Sequence, residues 1–172
     1  ILLSREVLKR TPAAAIVFDM KCSRALGEDI SAHGGKPVMW LTGHSYIKEK
    51  LHELNAPLAG EMSGHIFFGP PDYYGFDDAV FTGLKIIELL SQSDKSLSEL
   101  VSETPTYIST STLQAQCADE VKYQVVTDLV KKFVADGYQA ITINDNPRYG
   151  ARIEFPDGWG LVRASSNLPV LV

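Results

Sequence analysis

Residues 13–41 read AAAIVFDMKCSRALGEDISAHGGKPVMWL, and this stretch decides the fold class. Two apolar runs of strand length, Ala13 to Phe18 and the one within Lys36 to Leu41, each give way to small or polar residues. Such runs suit strands buried on both faces. Between them Ser23 to Ala32 reads as a crossover helix, weakened by Gly27 and ended by Gly34-Gly35. Strand, helix and strand in that order make a βαβ unit with a parallel pair.

Working outward, Ile47, Leu51 and Leu54 fall on one face of a helix from His44 to Asn55 that Pro57 terminates. Leu58-Ala59-Gly60 and Ile66-Phe67-Phe68 are extended pieces around a polar bend. After the Gly69-Pro70-Pro71-Asp72 turn, Asp77 or Asp78 caps a helix whose apolar face is Val80, Leu84, Ile87 and Leu90. Ser91 to Lys95 is a polar break, and Ser96 opens a short helix, Leu97 to Glu103, before Pro105. The spacing then predicts a strand over Thr106 to Gln114. A helix over Asp119 to Ala135 follows, with Val121, Val125, Leu129 and Phe133 inward. Strands over Ala140 to Asn144, Ala151 to Phe155 and Gly160 to Ala164 are separated by turns at Asn144 to Pro147 and Pro156 to Gly158. The expected architecture is an α/β three-layer domain over residues 1–92 and an α+β domain of mostly antiparallel strands over residues 97–172.

The chain has 172 residues, 45% of them hydrophobic and 22% charged, which excludes disordered and collagen-like classes. Lysine plus arginine against aspartate plus glutamate gives 16 − 21 = −5, so no global positive field draws the chain onto nucleic acid or anionic lipid. Any anion site must be local. No apolar run approaches the roughly 20 residues of a membrane helix. Cys22 and Cys117 stand far apart without partners, which argues against a disulfide framework and fits a reducing cytoplasm. The chain opens on Ile1 and stops at Val172 within a strand-like run, which reads as a piece of a longer protein.

Three places could carry chemistry. In Gly60-Glu61-Met62-Ser63-Gly64-His65 a carboxylate and a hydroxyl two residues apart would share one side of an extended segment and face sugar hydroxyls. The bare segment by itself reads first as an ordinary polar turn. In Arg163-Ala164-Ser165-Ser166-Asn167-Leu168-Pro169 a guanidinium, hydroxyls and turn N–H groups suit a phosphate, and a solvated turn is the alternative. Lys21 follows the first strand and Thr42-Gly43-His44 the second, at the edge where open α/β sheets place ligands. His33 and His52 lack companions at ligand spacing, so no metal is expected on this chain.

Taken in order, Phe18-Asp19-Met20-Lys21-Cys22-Ser23-Arg24, Trp40-Leu41-Thr42-Gly43-His44-Ser45, Gly60-Glu61-Met62-Ser63-Gly64-His65 and Gly158-Trp159-Gly160-Leu161-Val162-Arg163-Ala164-Ser165 resemble the alpha-D-phosphohexomutases, most closely the bacterial phosphomannomutase/phosphoglucomutase type. The resemblance implies that residues 1 to about 92 are the third of four domains and the rest a TBP-like fourth domain lacking its last helix. It implies interconversion of hexose 1-phosphate and hexose 6-phosphate through a hexose bisphosphate. The phosphoserine and the Mg²⁺ loop would belong to the missing N-terminal domains, and the fragment alone would be inactive. Glu61 and Ser63 match the sugar loop. Arg163, Ser165, Ser166 and Asn167 match the loop that grips the phosphate not reacting. His65, Lys21 and His44 match residues at the reacting end, His65 for proton transfer and Lys21 for charge stabilisation. A non-catalytic sugar-phosphate-binding module and a glucosamine-phosphate mutase are the alternatives.

Overall fold

In the computed structural model, which describes residues 1–172, the chain forms two compact units, Ile1–Ile108 and Ser109–Val172. The first begins with a helix the sequence pattern did not announce, α1 (Leu2–Arg10), whose Val7 and Leu8 are buried. It leads into β1 (Ala15–Asp19), α2 (Arg24–Ala32) and β2 (Lys36–Trp40), with β1 and β2 parallel as the crossover requires. The Ser23 hydroxyl caps α2 by accepting the Ala25 N–H. Next come α3 (His44–Glu53), β3 (Leu58–Gly60) and β4 (Ile66–Phe68), giving a four-stranded sheet in the order β2-β1-β3-β4. β3 is parallel to β1 and β4 antiparallel to β3.

Strand parity sorts the apolar residues into two cores. Ile16, Phe18, Leu58 and Phe68 face one layer with Val7, Leu8 and Ile30, while Val17, Ala59 and Phe67 face the other with Ile47 and Leu51 of α3. This is a three-layer α/β/α arrangement. Arg5 clamps α1 to α2 through Asp29, whose side chain is almost fully buried.

The helix α4 (Ala79–Ser91) corrects one expectation. Asp78 caps it, accepting the Phe81 N–H at 2.9 Å, but Val80, Leu84 and Ile87 are exposed and Phe81 faces inward. Apolar residues occur on more than one side of this helix, so periodicity could not select the buried face. The aromatic side wins because Phe81 packs on Phe68 and stacks on Tyr73, with ring centroids 5.3 and 4.3 Å apart.

The break between compact units falls at Ile108/Ser109 rather than near Ser91 to Lys95. The helix α5 (Leu97–Ser102), with its Ser96/Glu99 capping box, stays with the first unit. Arg5 reaches the Glu103 carbonyl at 3.5 Å, and the Tyr107 hydroxyl donates to Glu28 at 2.5 Å.

In the second unit the strand expected over Thr106 to Gln114 is absent. Pairing is confined to β5 (Ala115–Gln116), just beyond that run, because apolar, β-branched residues make a strand only where a partner edge is offered. The helix α6 (Lys122–Ala135) starts later than expected and buries Lys122, Val126 and Val130, while Val121 is exposed. Its inward face is thus turned one residue from the expected stripe. That face packs on β6 (Gln139–Ile143), β7 (Asn146–Phe155) and β8 (Gly158–Val162), an antiparallel sheet. Asn144 and Asp145 both take positive φ, 53° and 54°, in the two-residue turn joining β6 to β7. β9 (Val170–Leu171) pairs with β5.

Candidate functional site

Because β2, β1 and β3 run parallel, the residues that follow them emerge on one edge of the sheet. Lys21, the Thr42-Gly43-His44 turn and Glu61 are there for that reason. Their common anchor is Asp19, the last residue of β1, whose side chain is fully buried. Its carboxylate accepts the Thr42 hydroxyl at 3.1 Å, the Met62 N–H at 3.2 Å and the Cys22 thiol at 3.1 Å, and pairs with the Lys21 ammonium at 3.3 Å. One buried charge therefore ties together the ends of all three strands. Burial, then the negative charge of Asp19, pushes the Cys22 thiol well above its ordinary value, so this sulfur stays protonated and donates.

Glu61 is buried at the start of the β3–β4 hairpin and accepts the Gly43 N–H at 2.7 Å. The hairpin closes through Glu61 N–H to the His65 carbonyl at 2.9 Å and Gly64 N–H to the Glu61 carbonyl at 3.0 Å. This tight turn corrects the expectation that Glu61 and Ser63 share one side of an extended segment. Glu61 points inward to the next turn, and Ser63 is exposed at the tip. Gly64, at φ +94°, takes the left-handed conformation that the turn requires.

His65 faces Asp77 across the end of the hairpin, with Nδ1 2.7 Å from Oδ2. A carboxylate only accepts, so Nδ1 carries a proton, and in that tautomer Nε2 is the acceptor. Asp77 and Asp78 both looked like caps, and the structure divides them: Asp78 caps α4 and Asp77 orients His65. The Tyr73 hydroxyl, 2.6 Å from Asp78, and the Phe81 N–H hold the Asp78 carboxyl below the ordinary range. His44 opens α3 and is exposed beside Gly43. In the first unit, then, Lys21, His44, Glu61, Ser63 and His65 are set along one sheet edge or on the turn that leaves it.

The second unit gathers the other expected residues into one loop. Arg163 and Val172 exchange two backbone hydrogen bonds of 2.8 Å, and Ser165 N–H donates to the Val170 carbonyl at 3.0 Å, so Ser166 to Pro169 form the tip of a hairpin. The buried Ser165 hydroxyl accepts the N–H groups of Asn167 at 3.4 Å and Leu168 at 3.2 Å, shaping the tip. Ser166 and Asn167 are exposed and Arg163 is half-buried.

Sequence reasoning passed over Asp19, Asp77 and Lys122. Asp19 carried a faint signal, a carboxylate directly ending a buried strand. Asp77 carried another, the redundancy of two adjacent acids where one cap suffices. Lys122 was visible only as one polar residue in an otherwise inward stripe.

Residues 1–107 match the family described as phosphoglucomutase/phosphomannomutase, alpha/beta/alpha domain III. A phosphomannomutase/phosphoglucomutase of Pseudomonas syringae is 44% identical over 99% of this chain and 36% of its own length. A phosphoglucomutase of Neisseria meningitidis is 42% identical over 99% of this chain and 36% of its own. Among solved structures, a phosphoglucomutase/phosphomannomutase family protein of Burkholderia thailandensis superposes with a TM-score of 0.80 at 40% identity, over 99% of this chain and 34% of that one. The chain thus spans about a third of the length of these relatives. With the domain match covering well over half of the residues and the sheet-edge geometry in place, this chain belongs to the phosphoglucomutase/phosphomannomutase family.

Proposed function

We propose that the chain is the substrate-recognition part of a phosphohexomutase that interconverts hexose 1-phosphate and hexose 6-phosphate through a hexose bisphosphate. Residues 1–92 and the helix after them correspond in this reading to the third domain and the remainder to a TBP-like fourth domain, cut short. The observation that carries it is the Asp19-centred edge, where Lys21, Thr42 and the Glu61-Met62-Ser63 turn share one buried anchor.

Each group then has a task. The Glu61 carboxylate and the exposed Ser63 hydroxyl hold sugar hydroxyls common to both binding orientations, Glu61 keeping its place through Gly43 N–H. When a sugar hydroxyl attacks the phosphoryl group of a phosphoserine supplied by the missing domains, an O–P bond forms, the serine O–P bond breaks, and the hydroxyl proton moves to Nε2 of His65. Asp77 steadies the imidazolium so formed. Lys21, held by Asp19, faces negative charge developing on the transferring group, and His44 at the start of α3 borders the same place. Arg163, Ser165, Ser166 and Asn167 receive the phosphate that is not reacting.

Mg²⁺ supplies charge neutralisation to phosphoryl transfer in such enzymes. The carboxylate best placed on this chain, Asp19, is already saturated by four partners, and no group of three ligating side chains gathers elsewhere. These residues do not fit the ion, and no step here runs through it. With the phosphoserine supplied by another part of the enzyme in this reading, the role left to these residues is recognition rather than turnover.

The test is an NMR titration of the chain with glucose 1-phosphate and mannose 1-phosphate. Amides of Gly60 to His65 and of Arg163 to Asn167 should shift. Millimolar ligand that moves neither loop would refute binding by this chain.

A further inference from the structure

The second unit buries a cation that the reading above does not use. Lys122, in the first turn of α6, has a side chain only 5% exposed. Its ammonium donates to the Ser165 carbonyl at 2.6 Å and the Leu168 carbonyl at 3.2 Å, and pairs with the exposed Asp119 carboxylate at 2.7 Å. One carbonyl lies in the hairpin tip and the other at its base. A lysine costs several kcal/mol to bury without compensation, and here the compensation comes largely from the backbone of one loop.

The geometry of the peptide gives this contact a direction. In a trans peptide the C=O and the following N–H point opposite ways. The Ser165 carbonyl held against Lys122 therefore turns the Ser166 N–H away from the helix, on an exposed residue whose amide finds no acceptor within the chain. The ammonium also polarises that peptide unit, which makes the N–H a better donor to an anion. Meanwhile the Ser165 hydroxyl occupies the neighbouring Asn167 and Leu168 amides, so the Ser166 N–H is the tip donor left facing outward.

We propose that Lys122 is a positioning residue for phosphate recognition: it fixes the Ser165–Ser166 peptide so that the Ser166 N–H projects toward the bound phosphate, and its charge deepens the local positive potential. This rests on the reading that the Arg163 to Asn167 loop binds phosphate.

The experiment titrates the 172-residue chain, Lys122→Met and Lys122→Arg with inorganic phosphate at low and high salt, following Ser165, Ser166 and Asn167 amides by NMR. Lys122→Met should weaken phosphate binding about tenfold, the scale of one charge-assisted hydrogen bond, and flatten its salt dependence. Lys122→Arg, which keeps the charge and can fork across two carbonyls, should recover most of the loss. A purely structural role would change stability but leave the salt dependence alone. In the unaltered chain the Lys122 ammonium resonance should shift on phosphate saturation, a readout that needs no variant to fold. A folded Lys122→Met that binds within twofold of the parent, or an ammonium signal that ignores saturating phosphate, overturns the proposal. If the unaltered loop does not respond to phosphate, the reading beneath it fails first, and the two failures are told apart by that control.

Discussion

Removing the Asp19 carboxylate should cost the first unit more than any other single polar change on the sheet edge. In Asp19→Ala the Lys21 ammonium, one-fifth exposed, loses its partner, and the Thr42 hydroxyl, the Met62 N–H and the Cys22 thiol lose their acceptor. Truncating one member of a buried ion pair costs about 3–5 kcal/mol, and partial access of water to Lys21 places this case near the low end. The stranded Thr42 and Met62 donors add about 1 kcal/mol each where water cannot reach them. A loss of about 5 kcal/mol is expected, as large as the low end of the roughly 5–15 kcal/mol that holds a domain folded. Asp19→Asn keeps the size and one acceptor oxygen but not the charge, and should lose about half as much. Trp40 lies in the first unit and Trp159 in the second, so urea unfolding in a Trp159→Phe background reads the first unit through Trp40 fluorescence. Hydrogen exchange at the Met62 amide should quicken in both variants. If Asp19→Ala lost less than about 1 kcal/mol, or as little as Asp19→Asn, the anchor role would be wrong.

Three further outcomes follow from particular contacts. A Cβ on Gly150, at φ +114°, would lie 2.6 Å from Arg163 Cβ and 2.7 Å from the Val162 carbonyl. Gly150→Ala should therefore destabilise the second unit by about 2 kcal/mol or more and shift the Arg163 amide, seen by thermal unfolding and NMR. Asp77→Asn replaces an acceptor-only carboxylate by an amide that can accept or donate, so it no longer dictates the His65 tautomer, and ¹⁵N spectra of the ring should show a mixture where the parent shows Nδ1–H. Arg10 holds the Asp72 carboxyl below its ordinary 3.8, chiefly through their paired hydrogen bonds. A lowered folded value stabilises the native state above pH 3.8 and loses that contribution as pH falls through the folded value. Asp72→Asn should thus be less stable by at most about 1 kcal/mol at neutral pH, with Arg10 half-exposed, and the gap should close in acid.

Much of the first unit was legible because unbroken apolar runs such as Ile16-Val17-Phe18 and Ile66-Phe67-Phe68 put apolar side chains on both faces of the sheet and so force two cores, and a βαβ unit leaves few topologies. The caps at Ser23 and Asp78 were legible for a similar local reason. What failed depended on distant partners. Apolar residues on several sides of α4 hid its inward face until Phe68 and Tyr73 supplied aromatic neighbours. The run from Thr106 to Gln114 had strand-like residues but no edge to join. At the site, Lys21 was named from its place after a strand, Glu61 from the polar cluster it opens, and His65 from the family resemblance. Asp19, Asp77 and Lys122 were missed because the contacts that reveal them, Asp19 to Met62, Asp77 to His65 and Lys122 to Ser165, join residues 12 to 43 positions apart.

The β3–β4 hairpin carries one more implication. Its two strands have three residues each, and Phe67 and Phe68 fill opposite cores. Inserting or deleting one residue between Glu61 and His65 would either swap those rings between layers or carry His65 away from Asp77. The loop can change its chemistry at Met62 or Ser63 but not its length, so variation at its tip has to come by exchanging side chains on a ruler of fixed span.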